Sequence, residues 1–234
     1  QYGADTARIF CLFAAPPERD LEWSDQGVAG SFRFLHRVWS LIQEIWEPLR
    51  QAQTFAGDGS VLPPPLKTLR QKVHQTIHRV SSDIEARFHF NTAIAAMMEL
   101  VNDLYRAREE QGSEALADPV AASVWREAVE TLILLLSPMV PHLAEDLWHH
   151  LGHASSVYLE PWPQADTAAM AAETRVVVIQ VNGKLRSKIE VAVDADDQQI
   201  EELALADERI QELLQGKRVK KVVVARQKLV NIVI

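Results

Sequence analysis

The chain has 234 residues, 47% of them hydrophobic and 24% charged, enough apolar material for one large or two small cores, which excludes a disordered or fibrous protein. A single cysteine, Cys11, excludes a disulfide framework and a cysteine metal site and fits a reducing, cytoplasmic setting, and the longest aliphatic run, Leu132 to Leu136, is far shorter than the roughly 20 residues of a membrane helix. The formal charge of -8 argues against a surface that grips nucleic acid throughout, yet residues 173–234 carry 11 Lys and Arg against 10 Asp and Glu, while the remainder carries 13 against 22.

Gln1 is not a natural start, and Ala4 to Phe13 reads as a helix already under way, so an excised piece of a longer protein is expected. From Ser24, the positions Val28, Phe32, Leu35, Trp39, Ile42 and Trp46 recur at spacings of four and three, the stripe of an amphipathic helix. Ser24 or Asp25 is expected to cap it and Pro48 to end it. Phe55 to Pro65, with Gly57, Gly59 and three consecutive prolines, is expected as a loop. A second helix follows on Leu66, Leu69, Val73, Ile77, Val80 and Ile84. Asn91 is the expected N-cap of a third, which leaves at Gly112. Pro119 opens a fourth that runs to Leu136, and Pro138 and Pro141 restart the pattern as a short fifth helix ending at Gly152. The expected architecture of residues 23–152 is an antiparallel helical bundle.

After Gly152 the sequence changes character, passing Pro161 and Pro163 into an Ala-rich stretch, and residues 153–172 are expected to be a linker. Val176 to Val181, Asn182-Gly183, and Leu185, Ile189, Val191 and Val193 predict a β-hairpin with a two-residue turn. Ile200 to Leu214 is expected to be helical in two pieces around Asp207, with strands at Lys220 to Ala225 and Leu229 to Ile234. The fold class is therefore multidomain α and α+β, a bundle followed by a small ββααββ domain at 173–234.

The wording of these segments resembles the class I synthetases for leucine, isoleucine, valine and methionine. Tyr2-Gly3-Ala4-Asp5-Thr6-Ala7-Arg8 is similar to the helix after that family's second ATP signature, and LLSPMVPHLAEDLWHHLG (Leu135 to Gly152) to its late bundle helix. The leucine subgroup, of bacterial type, is suggested by AAPPERDLEWSDQGVAGSFRFLHRVW (Ala14 to Trp39), RFHFNTAIAAMMELVNDLY (Arg87 to Tyr105), VNGKLRSKIEV and LVNIVI. The resemblance implies a parent enzyme that activates leucine with ATP and magnesium and attaches it to tRNA(Leu). In that frame residues 1–22 are a remnant joining catalytic domain to bundle. No HIGH-like or KMSKS-like segment occurs, so no catalytic residue and no cofactor are assigned to this portion, and leucine and ATP would bind elsewhere in the parent. It is expected to bind tRNA as a monomer, with no membrane association.

Lys184, Arg186 and Lys188 alternate with Leu185 and Ile189, so strand periodicity predicts three cations on one face and the apolar residues on the other. Lys217, Arg218, Lys220, Lys221 and Arg226 extend the basic set, while eight carboxylates gather between Asp194 and Glu212. Phosphate-backbone contact is one reading, and lysines that discourage edge-strand aggregation the other. The family resemblance favours RNA, with this tail similar to the part that reaches the tRNA elbow. On the second helix Lys67, Arg70, His74 and His78 share an arc of roughly 80° at about 100° per residue; anticodon-stem contact competes there with an ordinary polar flank. Arg33 and Arg37 invite the same comparison. His142, His149, His150 and His153 match no standard zinc spacing and are expected in surface or cap roles, and no metal site is assigned. Trp39 and Trp46 are expected in the core, and Trp162 as an anchor pinning the linker. A parent for isoleucine, valine or methionine, a protein-association module and a purely structural brace remain open alternatives.

Overall fold

The computed structural model describes residues 2–15, 18–171, 174–192, 195–214, 219–225 and 228–234. They form two compact units, Gln1–Met170 and Ala171–Ile234, each with its own apolar core.

The first unit is built of α1 (Ala4–Ala14), α2 (Asp25–Gln51), α3 (Pro64–Arg87), α4 (Phe90–Gln111), α5 (Pro119–Leu136), α6 (Pro141–His150) and the one-turn α7 (Thr167–Met170). α5 is the central member. Its sequence is apolar almost all round, and 13 of its 18 residues are buried, among them Trp125, Leu132 and Ile133. Asp118 caps it through its carboxylate, and Pro119 supplies the preset first turn.

Ser24 caps α2 as expected, accepting from the Gly27 amide. The buried stripe of α2, however, runs through Val28, Ser31, Leu35, Val38, Ile42, Ile45 and Leu49. Phe32 is exposed and Trp39 and Trp46 are only half-buried, so the core face is turned by one position from the expected one. Both stripes share Val28, Leu35 and Ile42, and spacing alone does not choose between their alternate partners. Pro48 does not end α2, which continues to Gln51. Leu49 is fully buried, and the last carbonyls are held by a buried guanidinium: Arg126 Nη1 donates to the carbonyls of Leu49, Arg50 and Ala52. These bonds supply what the helix end cannot supply itself. α4 begins at Phe90, one residue before the expected cap Asn91, with no side-chain cap.

The expected linker is largely packed on the bundle. Val157 is buried, and Trp162 and Ala165 rest against the same core. Trp162 also donates to Ser81 Oγ at 2.8 Å, the anchoring its position between two prolines predicted. The opening segment is likewise part of the core, through Ile9.

The second unit runs β1 (Thr174–Val181), β2 (Lys184–Ala192), α8 (Asp197–Ala206), α9 (Glu208–Leu214), β3 (Lys221–Ala225) and β4 (Leu229–Val233). Asn182 and Gly183 both have positive φ, 49° and 76°, the backbone of the tight hairpin turn that Asn-Gly favours. The strand order is β2-β1-β4-β3, with β4 parallel to β1 and the other pairs antiparallel. Val177, Ile179, Val181, Val191, Val230 and Ile232 form the buried face against Ile200 and Ala204 of α8 and Ile210 of α9. An Asp196/Gln199 capping box starts α8, and Asp207, which breaks the helix in two, caps α9 through the Ile210 amide.

Candidate nucleic-acid interface

The basic hairpin does not keep strict alternation. On β1, Ile179 pairs with Ser187, but the next residue, Gln180, pairs with Leu185, so β2 spends one extra residue and Arg186 has no partner. This is a β-bulge on an edge strand. Across it the faces exchange. Leu185 pairs with Gln180 and Lys188 with Val178, both on the open side of the sheet, whereas Lys184 pairs with Val181 on the helix-covered side. The expectation of three cations on one face with Leu185 inward is therefore corrected, because one inserted residue inverts every later position. Leu185 is 57% exposed, beside Val176 at 53% and Val223 at 38%, so the open sheet face mixes aliphatic and cationic groups.

Lys184, Arg186, Lys188, Lys220 and Lys221 are all exposed, and none is held in an ion pair among the described residues. Lys217, Arg218 and Arg226 lie outside the described residues. Beside the bulge lies a cleft of about 590 Å³ between β2 and α9, lined by Leu185, Arg186, Ser187 and Lys188 on one side and Asp207, Glu208 and Arg209 on the other. Arg209 escaped the sequence reading because it sits in the acidic helical stretch, and only the packing of α9 against β2 reveals it.

In the bundle the candidates Arg70 and His74 are committed internally. Arg70 Nε lies 3.0 Å from Glu127 and Nη1 3.1 Å from Asp166, with its side chain 11% exposed. His74 is buried, bonding Glu127 at 3.0 Å and accepting from the Asp166 amide at 3.1 Å. Together they fasten the segment before α7 to α3 and α5, and these bonds commit Nε and Nη1 of Arg70 and both ring nitrogens of His74 within the bundle. Burial works against the Asp166 carboxylate, but the Ala168 and Ala169 amides and Arg70 outweigh it and hold its pKa below the ordinary value. His78 is exposed; Arg37 lies over the Tyr105 ring at 4.9 Å and bonds Asn102.

The histidines near α6 are joints within the bundle. His150 packs on Trp46 and bonds Gln43, while His153 stacks on Trp148 at 3.7 Å and bonds Glu130, the partner of Arg126. His149 bonds the His153 carbonyl and Glu145, which raise its pKa against the effect of burial. His142 and the Leu143 amide both bond Asp5 of α1, at 2.8 and 2.7 Å, and Arg8 donates to the Pro138 and Met139 carbonyls. The two segments that carry the class resemblance, Tyr2 to Arg8 and Leu135 to Gly152, thus form one joint. A signal for it was present in the sequence: Val140 cannot cap α6, so the free amides of its first turn require an acceptor from elsewhere.

The family described as the anticodon-binding domain of tRNA ligase matches residues 67–202, which run from α3 through the hairpin into α8. The chain is 56% identical to the leucine–tRNA ligase of Syntrophobacter fumaroxidans, with all of this chain and 28% of that protein covered. It is 53% identical to that of Geotalea daltonii, covering all of this chain and 27% of that one. Among solved structures it resembles the LeuRS–tRNA–LeuAMS ternary complex from Agrobacterium radiobacter, with a TM-score of 0.76, 30% identity, and 99% of this chain and 29% of that chain covered. The chain therefore spans little more than a quarter of the relatives it matches. No helix among the described residues is long and apolar enough to cross a membrane. With a family match over more than half its length, on a helical bundle and a basic hairpin, this chain belongs to the anticodon-binding domain family of tRNA ligases.

Proposed function

We propose that this chain is the tRNA-holding portion of a cytoplasmic, monomeric leucine–tRNA ligase, whose parent activates leucine with ATP and magnesium and attaches it to tRNA(Leu). The observation that carries this reading is the match of the whole chain to leucine–tRNA ligases at more than half identity. The solved relative with tRNA bound, alike over nearly the whole chain, supports the same reading. Reaction chemistry would belong to other parts of the parent. The work of this portion is placement, through contacts to the sugar–phosphate backbone that give affinity and register without reading bases.

Two features suit it to that task. The bundle is a rigid frame, its ends fixed by the Asp5 and Arg126 bonds, and the tail presents Lys184, Arg186, Lys188, Lys220 and Lys221 to solvent with no internal partner among the described residues. Free cations at a surface release counterions when they meet phosphates, so affinity should fall steeply with salt. Filter binding of the chain to leucine tRNA and to a tRNA with a short variable arm, over a salt series, tests this. Preference for leucine tRNA and a linear fall of log affinity with log salt are expected, and a flat salt response overturns the reading.

A further inference from the structure

We propose that the cleft between β2 and α9 is a seat for one phosphodiester of an RNA backbone, gripped by Arg186, Lys188 and Arg209. This rests on the tRNA-binding reading and goes beyond it in naming the subsite, its ligand chemistry and a residue, Arg209, from the acidic side of the unit.

The bulge is the first support. It removes Arg186 from the β1–β2 ladder on an edge strand, the kind of irregularity that re-aims a side chain. The second is that Arg186, Lys188 and Arg209 line one cleft, all exposed and none ion-paired among the described residues. Nearby acids are already in use: Asp207 accepts from Ser187 Oγ at 2.9 Å and from the Ile210 amide at 3.1 Å, which leaves Glu208 at the rim. Three cations against two acids favour a singly charged phosphodiester over a multiply charged nucleotide. An open cleft also suits a continuous polymer, since small-molecule sites enclose most of their ligand. Two guanidinium groups can offer paired donors to the two free oxygens of one phosphodiester, and the exposed Leu185 at the same cleft provides an apolar contact for the adjoining ribose.

The test is filter binding of leucine tRNA by the full chain over a salt series. In the double variant Arg186→Ala/Arg209→Ala, affinity should fall on the order of tenfold and the log–log salt slope should lose about one unit, the signature of one lost phosphate contact. Glu208→Gln should tighten binding about twofold, as expected from removing a like charge beside the phosphate. Lys184→Ala, at a residue that does not line the cleft, should change the slope less than the double variant. If the double variant loses its circular dichroism, Arg209→Glu, a change at an exposed helix position, replaces it and should weaken binding by a similar factor. Wild-type affinity and slope in the folded double variant, or in Arg209→Glu, overturn the phosphodiester seat while leaving the tRNA reading intact. Absence of any tRNA binding by the wild-type chain defeats both.

Discussion

The bundle and the tail use their charges in opposite ways. In the bundle, Arg70 and Arg126 are buried or nearly so, each tied to carboxylates or helix-end carbonyls. In the tail, Lys184, Arg186, Lys188, Lys220 and Lys221 stand in solvent. The contrast shows that a charge count says little about recognition until burial is known. A buried cation is spent on stability, because leaving it or its partner unpaired is costly, whereas an exposed one contributes almost nothing to folding and remains available to a polyanion.

The largest expected effect that would break this contrast is at Arg126. Arg126→Met should destabilise the bundle by about 3–5 kcal/mol, since it takes the guanidinium away from the buried Glu130, which keeps only Thr54 and His153, and strands three carbonyls at the end of α2. Urea unfolding followed by tryptophan fluorescence measures it, and a loss below about 1 kcal/mol would show that the buried network is not a stabilising one. Arg70→Ala should cost about 1–3 kcal/mol by leaving Glu127 with His74 alone and removing the guanidinium from Asp166. Its tRNA salt slope should stay at the wild-type value, and a reduced slope would return Arg70 to the interface. Gly183→Ala should cost about 1 kcal/mol, confined to the tail, because φ of 76° strains any side chain. Hydrogen exchange should then quicken in β1 and β2 and stay unchanged in α5.

The smallest effect is in acid. Burial tends to raise the Glu145 carboxyl, but the Val157 amide, Ser156 and His149 outweigh it and hold its pKa low, as the amides and Arg70 do for Asp166. A carboxylate lowered on folding contributes stability above its unfolded pKa and loses it as pH falls through the folded value, so the bundle should weaken below about pH 4. Asp166→Asn should flatten that acid limb in a series of thermal melts. His149 has the opposite sign: its raised pKa contributes below about pH 6.5, and that contribution fades as pH rises.

Much of the fold was legible because its signals are local. Pro119 and Gly112 mark helix ends by backbone chemistry, Asn182-Gly183 marks a hairpin, and Asp207 divides a helix by capping its second half. Errors arose where a distant group intervened. The end of α2 lies beyond Pro48, where Arg126, far along the chain, holds the carbonyls of Leu49, Arg50 and Ala52. The basic stripe of β2 was misread because strand periodicity assumes no bulge. Arg70 and His74 looked like a surface arc because their partners, Glu127 and Asp166, come from elsewhere in the sequence.

By itself, the sequence determined the helical and extended segments, the Asn-Gly turn, the uneven distribution of charge and the family resemblance, all properties of residues close together along the chain. Only the tertiary structure decided which cations are free, which face of α2 is buried, that Asp5 caps α6, and that Arg209 stands across a cleft from Arg186. Those outcomes depend on which side chains meet across space, and neither composition nor periodicity encodes a distance between residues far apart in the chain.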